Sequence, residues 1–234
     1  MTIVRSYRTP KGNWVKMAVR PDLVDEPVIA STSQHDEYGT ANFGLGPDDL
    51  MVDVGAYIGS VGLAVAADYP DCRVVMVEAV PENVAVIRES IEVNGWHARV
   101  FVHHAAAAAK HGRSTIRFGT TDEPGSFRYT NQFIGDLRAL DAPMNVKVTN
   151  ITLRDILDRY GAIAVLKIDC ECCEYPFFEG GGMERVGYII GEYHGGIKRI
   201  EELLDATHDV EFYPENESVG IFKARLVQMR TVKP

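Results

Sequence analysis

Residues 50–59, which read Leu-Met-Val-Asp-Val-Gly-Ala-Tyr-Ile-Gly, decide the fold of this chain. The apolar run 50–54 predicts a buried strand, and residues 59–68 have the pattern of a helix. Glycines at a strand-to-helix junction let a ligand approach the backbone, and the N–H groups at the start of the helix point toward that ligand. We therefore expect a binding site at the first crossover of a parallel sheet.

Short apolar strands alternate with helical patterns from residue 50 onward, which is typical of a doubly wound α/β fold with a mostly parallel sheet. Pro81 opens one helix and Asn94-Gly95 closes it. The late strands 209–213 and 219–226 follow each other directly and predict an antiparallel pair at the sheet edge. The remaining predicted strands are 50–54, 73–77, 99–103, 164–168 and 188–191, with a short one at 114–118.

The segment 1–49 is predicted to be a separate cap before the main domain, residues 50–234. Residues 3–19 alternate in polarity around the turn cluster 10–13 and predict a hairpin. One helix-compatible piece covers residues 27–38.

Composition and charge limit the classes of function. The 234 residues are 46% hydrophobic and 24% charged, as in ordinary globular proteins. No apolar run approaches the roughly 20 residues of a membrane span, and the N-terminus lacks the apolar core of a secretory signal, so a cytoplasmic location is expected. The net charge of −9 disfavours nucleic acid and favours a small-molecule substrate. Whether the protein forms a homo-oligomer is left open.

The glycine spacing decides which ligand fits the first turn. Glycines fall at 55, 59 and 62, and the bulky Tyr57 stands where a dinucleotide site places its second glycine. A pyrophosphate is therefore disfavoured, and Gly59 is not followed by the Lys-Ser or Lys-Thr of a P-loop. Glu78, at the end of the second strand, is placed to accept both hydroxyls of a ribose.

A ribose without a diphosphate is the ligand that remains. S-adenosylmethionine meets this description because it combines adenosine with a sulfonium cation and an amino-acid tail. Asp53 is placed to attract that positive charge. A nicotinamide-dependent oxidoreductase is the alternative that Glu78 also permits, and Tyr57 weakens it.

Four separated motifs resemble the FkbM-type family of S-adenosylmethionine-dependent methyltransferases: VDVGAYIG (52–59), VEAVPENVAVIRESIEVNG (77–95), TLRDILDRYGAIAVLKIDCECCEY (152–175) and GEYHG (191–195). The resemblance implies a Rossmann-like domain of the class I methyltransferase type. One departure is Cys172, which stands where relatives usually have glycine. The cofactor contacts that the resemblance implies are Tyr38, Asp53, Gly55, Tyr57, Gly59, Glu78, Ala106 and Asp169.

Four candidate catalytic residues follow the fourth and fifth strands of the main domain. Asp169 and Glu171 are two residues apart, as are Glu192 and His194, and residues at i and i+2 share a face of a strand. Methyl transfer is an in-line displacement, so the protein must mainly align a nucleophile and accept its proton. His194 is the best base candidate because its ordinary pKa lies near neutral pH.

No metal site is predicted. The four acidic and imidazole groups are ligands for magnesium, but they have no established spacing. Three of the four cysteines crowd at 170, 172 and 173 without a second paired-cysteine motif, which disfavours zinc. They are expected to be reduced thiols and small core residues.

The predicted function is O-methylation of a hydroxyl on a natural product or a sugar. The alternatives are an N-methyltransferase of the same fold, the oxidoreductase, and a non-catalytic module that retains the cofactor pocket. The cap and a predicted long loop, 119–135, would shape the acceptor pocket, with Phe127, Tyr129 and Phe133 as loop anchors or a substrate lid.

Overall fold

A computed structural model describes residues 1–120, 130–132 and 141–227. In chain order its strands are β1 (Ile3–Arg8), β2 (Trp14–Val19), β3 (Leu50–Val54), β4 (Arg73–Glu78), β5 (Val100–His104), β6 (Ala106–Ala107), β7 (Arg113–Thr120), β8 (Thr130–Gln132), β9 (Asp141–Ile151), β10 (Ile163–Ile168), β11 (Val186–His194), β12 (His208–Pro214) and β13 (Val219–Leu226).

The helices are α1 (Asp25–Gln34), α2 (Ser60–Asp68), α3 (Pro81–Asn94), α4 (Leu153–Tyr160), α5 (Glu174–Glu179) and α6 (Ile197–Leu204), with short 3₁₀ turns at Thr40–Asn42 and Met183–Arg185. Within the described ranges, no helix has the length and apolar character needed to cross a membrane.

The main sheet has seven strands in the order β12-β13-β11-β10-β3-β4-β5. The five strands from β11 to β5 are parallel, and β12 and β13 form an antiparallel edge next to β11. The predicted Rossmann-like sheet and its edge pair are therefore confirmed. Because the chain winds outward in both directions from β3 and β10, a crevice forms between the C-terminal ends of these two strands.

The N-terminal hairpin of β1 and β2 is present as predicted, with Ile3 paired to Val19. Its inner side chains, Val15, Met17 and Val19, are fully buried. They belong to the same apolar core as Leu63 of α2 and Ile87 of α3. The hairpin therefore covers these two helices on one side of the sheet and is part of the main core.

A second apolar core lies on the opposite face of the sheet, where it contains Ile156 of α4, Phe177 of α5 and Ile200 of α6. Thr152 begins α4 in a capping box: its hydroxyl accepts from the amide of Asp155, and its own amide donates to the Asp155 carboxylate. This box explains why α4 starts directly after β9 and packs against β10.

A smaller sheet, in the order β6-β9-β7-β8, was not predicted from the sequence. The expected short strand 114–118 is the middle of β7, and residues 119–120 and 130–132, expected to be loop, are strands. Phe127, Tyr129 and Phe133 lie outside the described residues. The sequence missed β9 because its first half, Asp-Ala-Pro-Met-Asn, has residues that are depleted in strands.

Candidate active site

A cleft of about 440 Å³ opens at the C-terminal ends of β3, β10 and β11, at the crevice of the doubly wound sheet. Its floor is the turn Gly55, Ala56 and Tyr57, and one wall carries Glu78. The opposite wall carries Asp169, Glu171 and Glu192, and residues of α1 close the third side. The cleft thus lies where a doubly wound sheet binds its ligand.

Gly55 brings two strand ends into contact. Its φ is +72°, and a Cβ there would come within 1.8 Å of the carbonyl oxygen of Asp169. No side chain fits that space, so the glycine lets the turn after β3 approach the turn after β10. Tyr57 also has a positive φ, +53°, and lines the cleft as the sequence predicts.

Glu78 fixes the shape of the glycine turn. One carboxylate oxygen accepts from the amide of Tyr57 at 2.8 Å, and the other accepts from the amide of Val80 at 2.8 Å. The residue is 1% exposed overall, yet it lines the cleft. Glu78 therefore lines the cleft and holds Tyr57 beside it.

Asp53 is not placed as the sequence predicts. It is completely buried and does not line the cleft; its Oδ1 lies 3.1 Å from Lys167 Nζ, and its Oδ2 accepts from the amide of Gly62. Lys167 also donates to the Gly55 carbonyl at 3.0 Å. Asp53 therefore supports the glycine turn from below and does not face a bound cation.

Two further predicted contacts lie away from the cleft. Gly59 precedes α2, and a Cβ there would press on Met76 and Ile87, so its small size serves packing. Ala106 lines a separate apolar cavity of about 30 Å³. Gly55 and Cys170 line both this cavity and the cleft, so Ala106 lies behind the turn.

The N-terminal segment closes over the cleft through two tyrosine hydroxyls. Tyr38, 6% exposed, donates to Asp169 at 2.9 Å and lines the cleft as predicted. The hydroxyl of Tyr57 donates to Asp25, which is fully buried and paired with Arg20. These bonds fix α1 and the following turn against the glycine turn.

The four predicted catalytic residues come together. His194 Nε2 lies 3.6 Å from Glu171 and 3.8 Å from Glu192, and these two carboxylates line the cleft beside Asp169. Glu192 and His194 share a face of β11, as expected. Strand β10 ends at Ile168, however, so Glu171 reaches the cluster from a turn and not from a strand.

The electrostatics of the cluster differ from the prediction. Burial acts to lower the pKa of His194, but the hydrogen bond to Glu174 and the charges of Glu171 and Glu192 raise that pKa to about 9. The imidazole is therefore protonated at neutral pH, and this argues against the predicted role of His194 as the base that accepts the proton. Burial and the charge of Asp169 raise the pKa of Glu192 to about 7.

The turn after Asp169 replaces the expected reduced thiols with a disulfide between Cys170 and Cys173. The two Cα atoms lie 5.4 Å apart because Glu171 and Cys172 both have positive φ, +56° and +73°. Cys172 therefore adopts the left-handed conformation at the position where glycine was expected. Cys172 and Cys72 are free.

Sequence reasoning missed several supporting residues. Glu174, fully buried, accepts from the amide of His194 at 3.1 Å and lies 3.4 Å from its Nδ1. Lys167 interrupts an otherwise apolar strand, and a lysine in such a strand is a signal for a buried ion pair. Asp25 and Arg20 have no such signal in the sequence.

Several solved structures share this fold. Precorrin-6y C5,15-methyltransferase from Geobacter metallireducens has a TM-score of 0.53 at 16% identity, over 90% of this chain and 94% of its own. A Streptococcus mutans protein, assigned by name to the S-adenosylmethionine-dependent methyltransferases, has a TM-score of 0.50 at 11% identity. The match covers 95% of this chain and 55% of that protein. TYW2 from P. horikoshii, solved with MeSAdo, has a TM-score of 0.49 at 14% identity, over 95% of this chain and 70% of its own. No curated protein matches the sequence.

The sheet order, the crevice and the glycine turn facing Glu78 define a class I methyltransferase of Rossmann-like fold. The chain belongs to the FkbM methyltransferase family, because the model of the methyltransferase FkbM domain matches residues 53–213. The predicted family and fold are confirmed, and the cofactor of such an enzyme is S-adenosylmethionine. This membership replaces the oxidoreductase alternative.

The residues present fit that cofactor. The cleft has the volume for a nucleoside with a short tail, and its turn leaves the Tyr57 side chain where a diphosphate would need a glycine. The buried carboxylate of Glu78 reaches the same space, where ribose hydroxyls can donate to it.

Proposed function

We propose that the protein transfers a methyl group from S-adenosylmethionine to a hydroxyl oxygen of a small molecule, a natural product or a sugar. The observation that carries this proposal is the position of Asp169, Glu171 and Glu192, which line the cleft that Glu78 and the glycine turn also line. A cofactor-binding wall and a proton-accepting wall thus face one space.

Gly55, Tyr57 and Glu78 would hold the nucleoside, and Tyr38 and Asp169 would close the opposite side. When bound, the cofactor supplies an electrophilic methyl group on a sulfonium. Lys167 and Asp53 keep the Gly55 carbonyl in place beneath the turn. The chain therefore contributes orientation on the cofactor side, which is the main requirement for an in-line displacement.

On the acceptor side, the carboxylates hold the hydroxyl and take its proton. Glu171 and Glu192 are the candidates because both reach the cleft and both accompany His194. His194, kept protonated by its neighbours, positions the two carboxylates. The acidic wall disfavours a phosphorylated or carboxylate-bearing acceptor by charge repulsion, and this fits a small neutral or amine-bearing molecule.

Calorimetry with S-adenosylhomocysteine tests the cofactor site. We expect Glu78→Gln to weaken binding by about tenfold or more, because a lost charge-assisted hydrogen bond costs roughly 1.5–3 kcal/mol. Glu82→Gln is the matched control, since Glu82 is exposed in the first turn of α3. Absence of binding to the unaltered protein would overturn the proposal.

Product analysis tests the acceptor atom. Incubation with S-adenosylmethionine and a panel of hydroxylated metabolites should yield a methyl ether, identified by its carbon chemical shift. An N-methyl product would assign the protein to the N-methyltransferases. Binding of the cofactor without turnover on any member of the panel would favour a non-catalytic module.

A further inference from the structure

Three potential metal ligands meet on the acceptor wall of the cleft. Asp169, Glu192 and His194 each offer one ligand atom, and these atoms all lie within 4.8 Å of one another. Asp169 comes directly after β10, and Glu192 and His194 lie two residues apart on one face of β11. The parallel pairing of β10 and β11 brings the three residues together. We propose that these three residues bind a divalent cation, Mg²⁺ or Mn²⁺, at the acceptor end of the cleft. This inference rests on the proposed function.

The donor set matches that class of ion. Carboxylate oxygens suit Mg²⁺ and Mn²⁺, and an imidazole nitrogen adds preference for the transition metal. Cis ligands of such an ion lie roughly 3 Å apart, at metal–oxygen distances of about 2.1 Å. The ligand atoms, which lie within 4.8 Å of one another, therefore need to close by up to about 2 Å, and each residue is partly exposed, which leaves its side chain room to do so.

A residue outside the cluster orients the imidazole as a ligand. The fully buried Glu174 lies 3.4 Å from Nδ1 of His194 and accepts from its amide. Nε2 is thereby left facing Glu192 and Glu171. A carboxylate behind the second nitrogen is the usual support of a metal-bound histidine, and it fixes the tautomer and the ring.

The second ligand is supported in the same way. The buried Tyr38 donates its hydroxyl hydrogen to Asp169 Oδ2 at 2.9 Å. Lys167, the other cation in the described part of this wall, is committed to Asp53 and the Gly55 carbonyl. The carboxylates of Asp169, Glu171 and Glu192 thus concentrate negative charge around His194, and a divalent cation that takes the place of the proton on His194 Nε2 compensates that charge.

The ion has a clear role in the proposed reaction. A bound divalent cation holds an acceptor oxygen in place and lowers the pKa of its hydroxyl. With Glu192 coordinated, Glu171 is the carboxylate left to take the proton.

The test is Mn²⁺ binding by the full-length protein after removal of metal with a chelator. Loss of the free Mn²⁺ signal in electron paramagnetic resonance should show one saturable site per chain, displaced by excess Mg²⁺. Asp169→Asn and Glu192→Gln should each weaken Mn²⁺ binding by about tenfold or more. Glu215→Gln is the matched control, since it also removes a carboxylate from the cleft but lies outside the ligand set, and it should change the affinity by less than about threefold.

Two results would overturn the proposal: no saturable Mn²⁺ binding up to roughly 1 mM, or an equal loss in Glu215→Gln, which would show general charge attraction only. If Asp169→Asn fails to fold, Glu192→Gln decides alone. S-adenosylhomocysteine binding in chelator is measured in parallel. If the unaltered protein binds S-adenosylhomocysteine but not Mn²⁺, the metal site is rejected and the proposed methyltransferase function stands. If the unaltered protein does not bind S-adenosylhomocysteine, the proposed function itself is rejected.

Discussion

Cys172 adopts the left-handed conformation at a position where the family resemblance implies glycine. Its φ of +73° follows the +56° of Glu171, so two consecutive side chains occupy the left-handed region. That conformation costs roughly 1–2 kcal/mol for a residue with a Cβ. The turn persists because it places Glu171 on the cleft wall, and strain of this kind concentrates at functional sites.

Cys172→Gly should therefore raise the free energy of unfolding by about 1 kcal/mol relative to Cys172→Ala, since both lose the thiol and only glycine relieves the strain. Urea unfolding of the two variants measures the difference. An alanine variant as stable as the glycine variant would show that the turn is not strained at this position.

At the scale of elements, one buried ion pair joins the two central strands. Lys167 and Asp53 are direct partners in the parallel register of β10 and β3. Burial acts to lower the pKa of Lys167, but the charges of Asp53, Asp169 and Glu78 and the hydrogen bond to Asp53 together outweigh it and raise the pKa above its ordinary value. The pair ties both strands to the Gly55 carbonyl and so sets the floor of the cleft.

Lys167→Met should cost about 3–5 kcal/mol of unfolding free energy because it leaves Asp53 buried without its countercharge. The double variant Lys167→Met/Asp53→Asn should recover at least half of that loss, since both charges are gone and the asparagine oxygen still accepts from Gly62. Urea denaturation of the four members of the cycle checks this. If the losses of unfolding free energy in the two single variants simply add in the double variant, the prediction is contradicted.

A second element contact predicts a pH dependence of stability. His208 of β12 is buried, and its Nε2 lies 2.9 Å from the Val186 carbonyl at the start of β11. Burial lowers the pKa of His208 below its ordinary value. The unfolded chain therefore binds more protons than the folded one between the two pKa values, and stability falls as pH drops through this window.

The contribution of His208 to the unfolding free energy should thus decrease between about pH 7.5 and pH 5.5. The unfolding free energy of His208→Gln, taken relative to that of the unaltered protein, should therefore rise as the pH falls through this range. Chemical denaturation at a series of pH values measures both slopes. His97→Gln is the control because the side chain of His97 is 61% exposed. Equal slopes in unaltered protein and His208→Gln would remove His208 as the cause.

At the scale of the whole molecule, the N-terminal segment is inseparable from the sheet domain. Met17, Val19 and Ile29 are buried in the core that also holds α2 and α3. Tyr38 and Asp25 bond to the cleft turns. The predicted hairpin and cap of residues 1–49 therefore share an apolar core with the helices of the sheet domain.

Deletion of residues 1–49 should abolish cooperative unfolding. Each buried apolar side chain that is lost removes roughly 1.5–3 kcal/mol, against a total stability of about 5–15 kcal/mol. Circular dichroism during thermal unfolding and light scattering measure the outcome. A soluble, cooperatively folding fragment 50–234 would show that the cap is independent.

Local patterns allowed much of the fold to be predicted. The strand Leu50–Val54, the helix Pro81–Asn94 and the capping box at Thr152 have signals within a few residues, and each is confirmed. The strand β9 and the helix α5 lack such signals and were missed. Their formation depends on partners distant in the chain, which composition and periodicity do not record.

The sequence by itself determined the alternation of strands and helices, the class of cofactor turn and the acidic character of the strand ends, because these follow from local spacing and residue type. Only the tertiary structure decided which groups face which. It turned Asp53 away from the cleft and toward Lys167, and it surrounded His194 with three carboxylates. The physical reason is that charge pairing and burial depend on distances between separate strands, and these distances exist only once the sheet has formed.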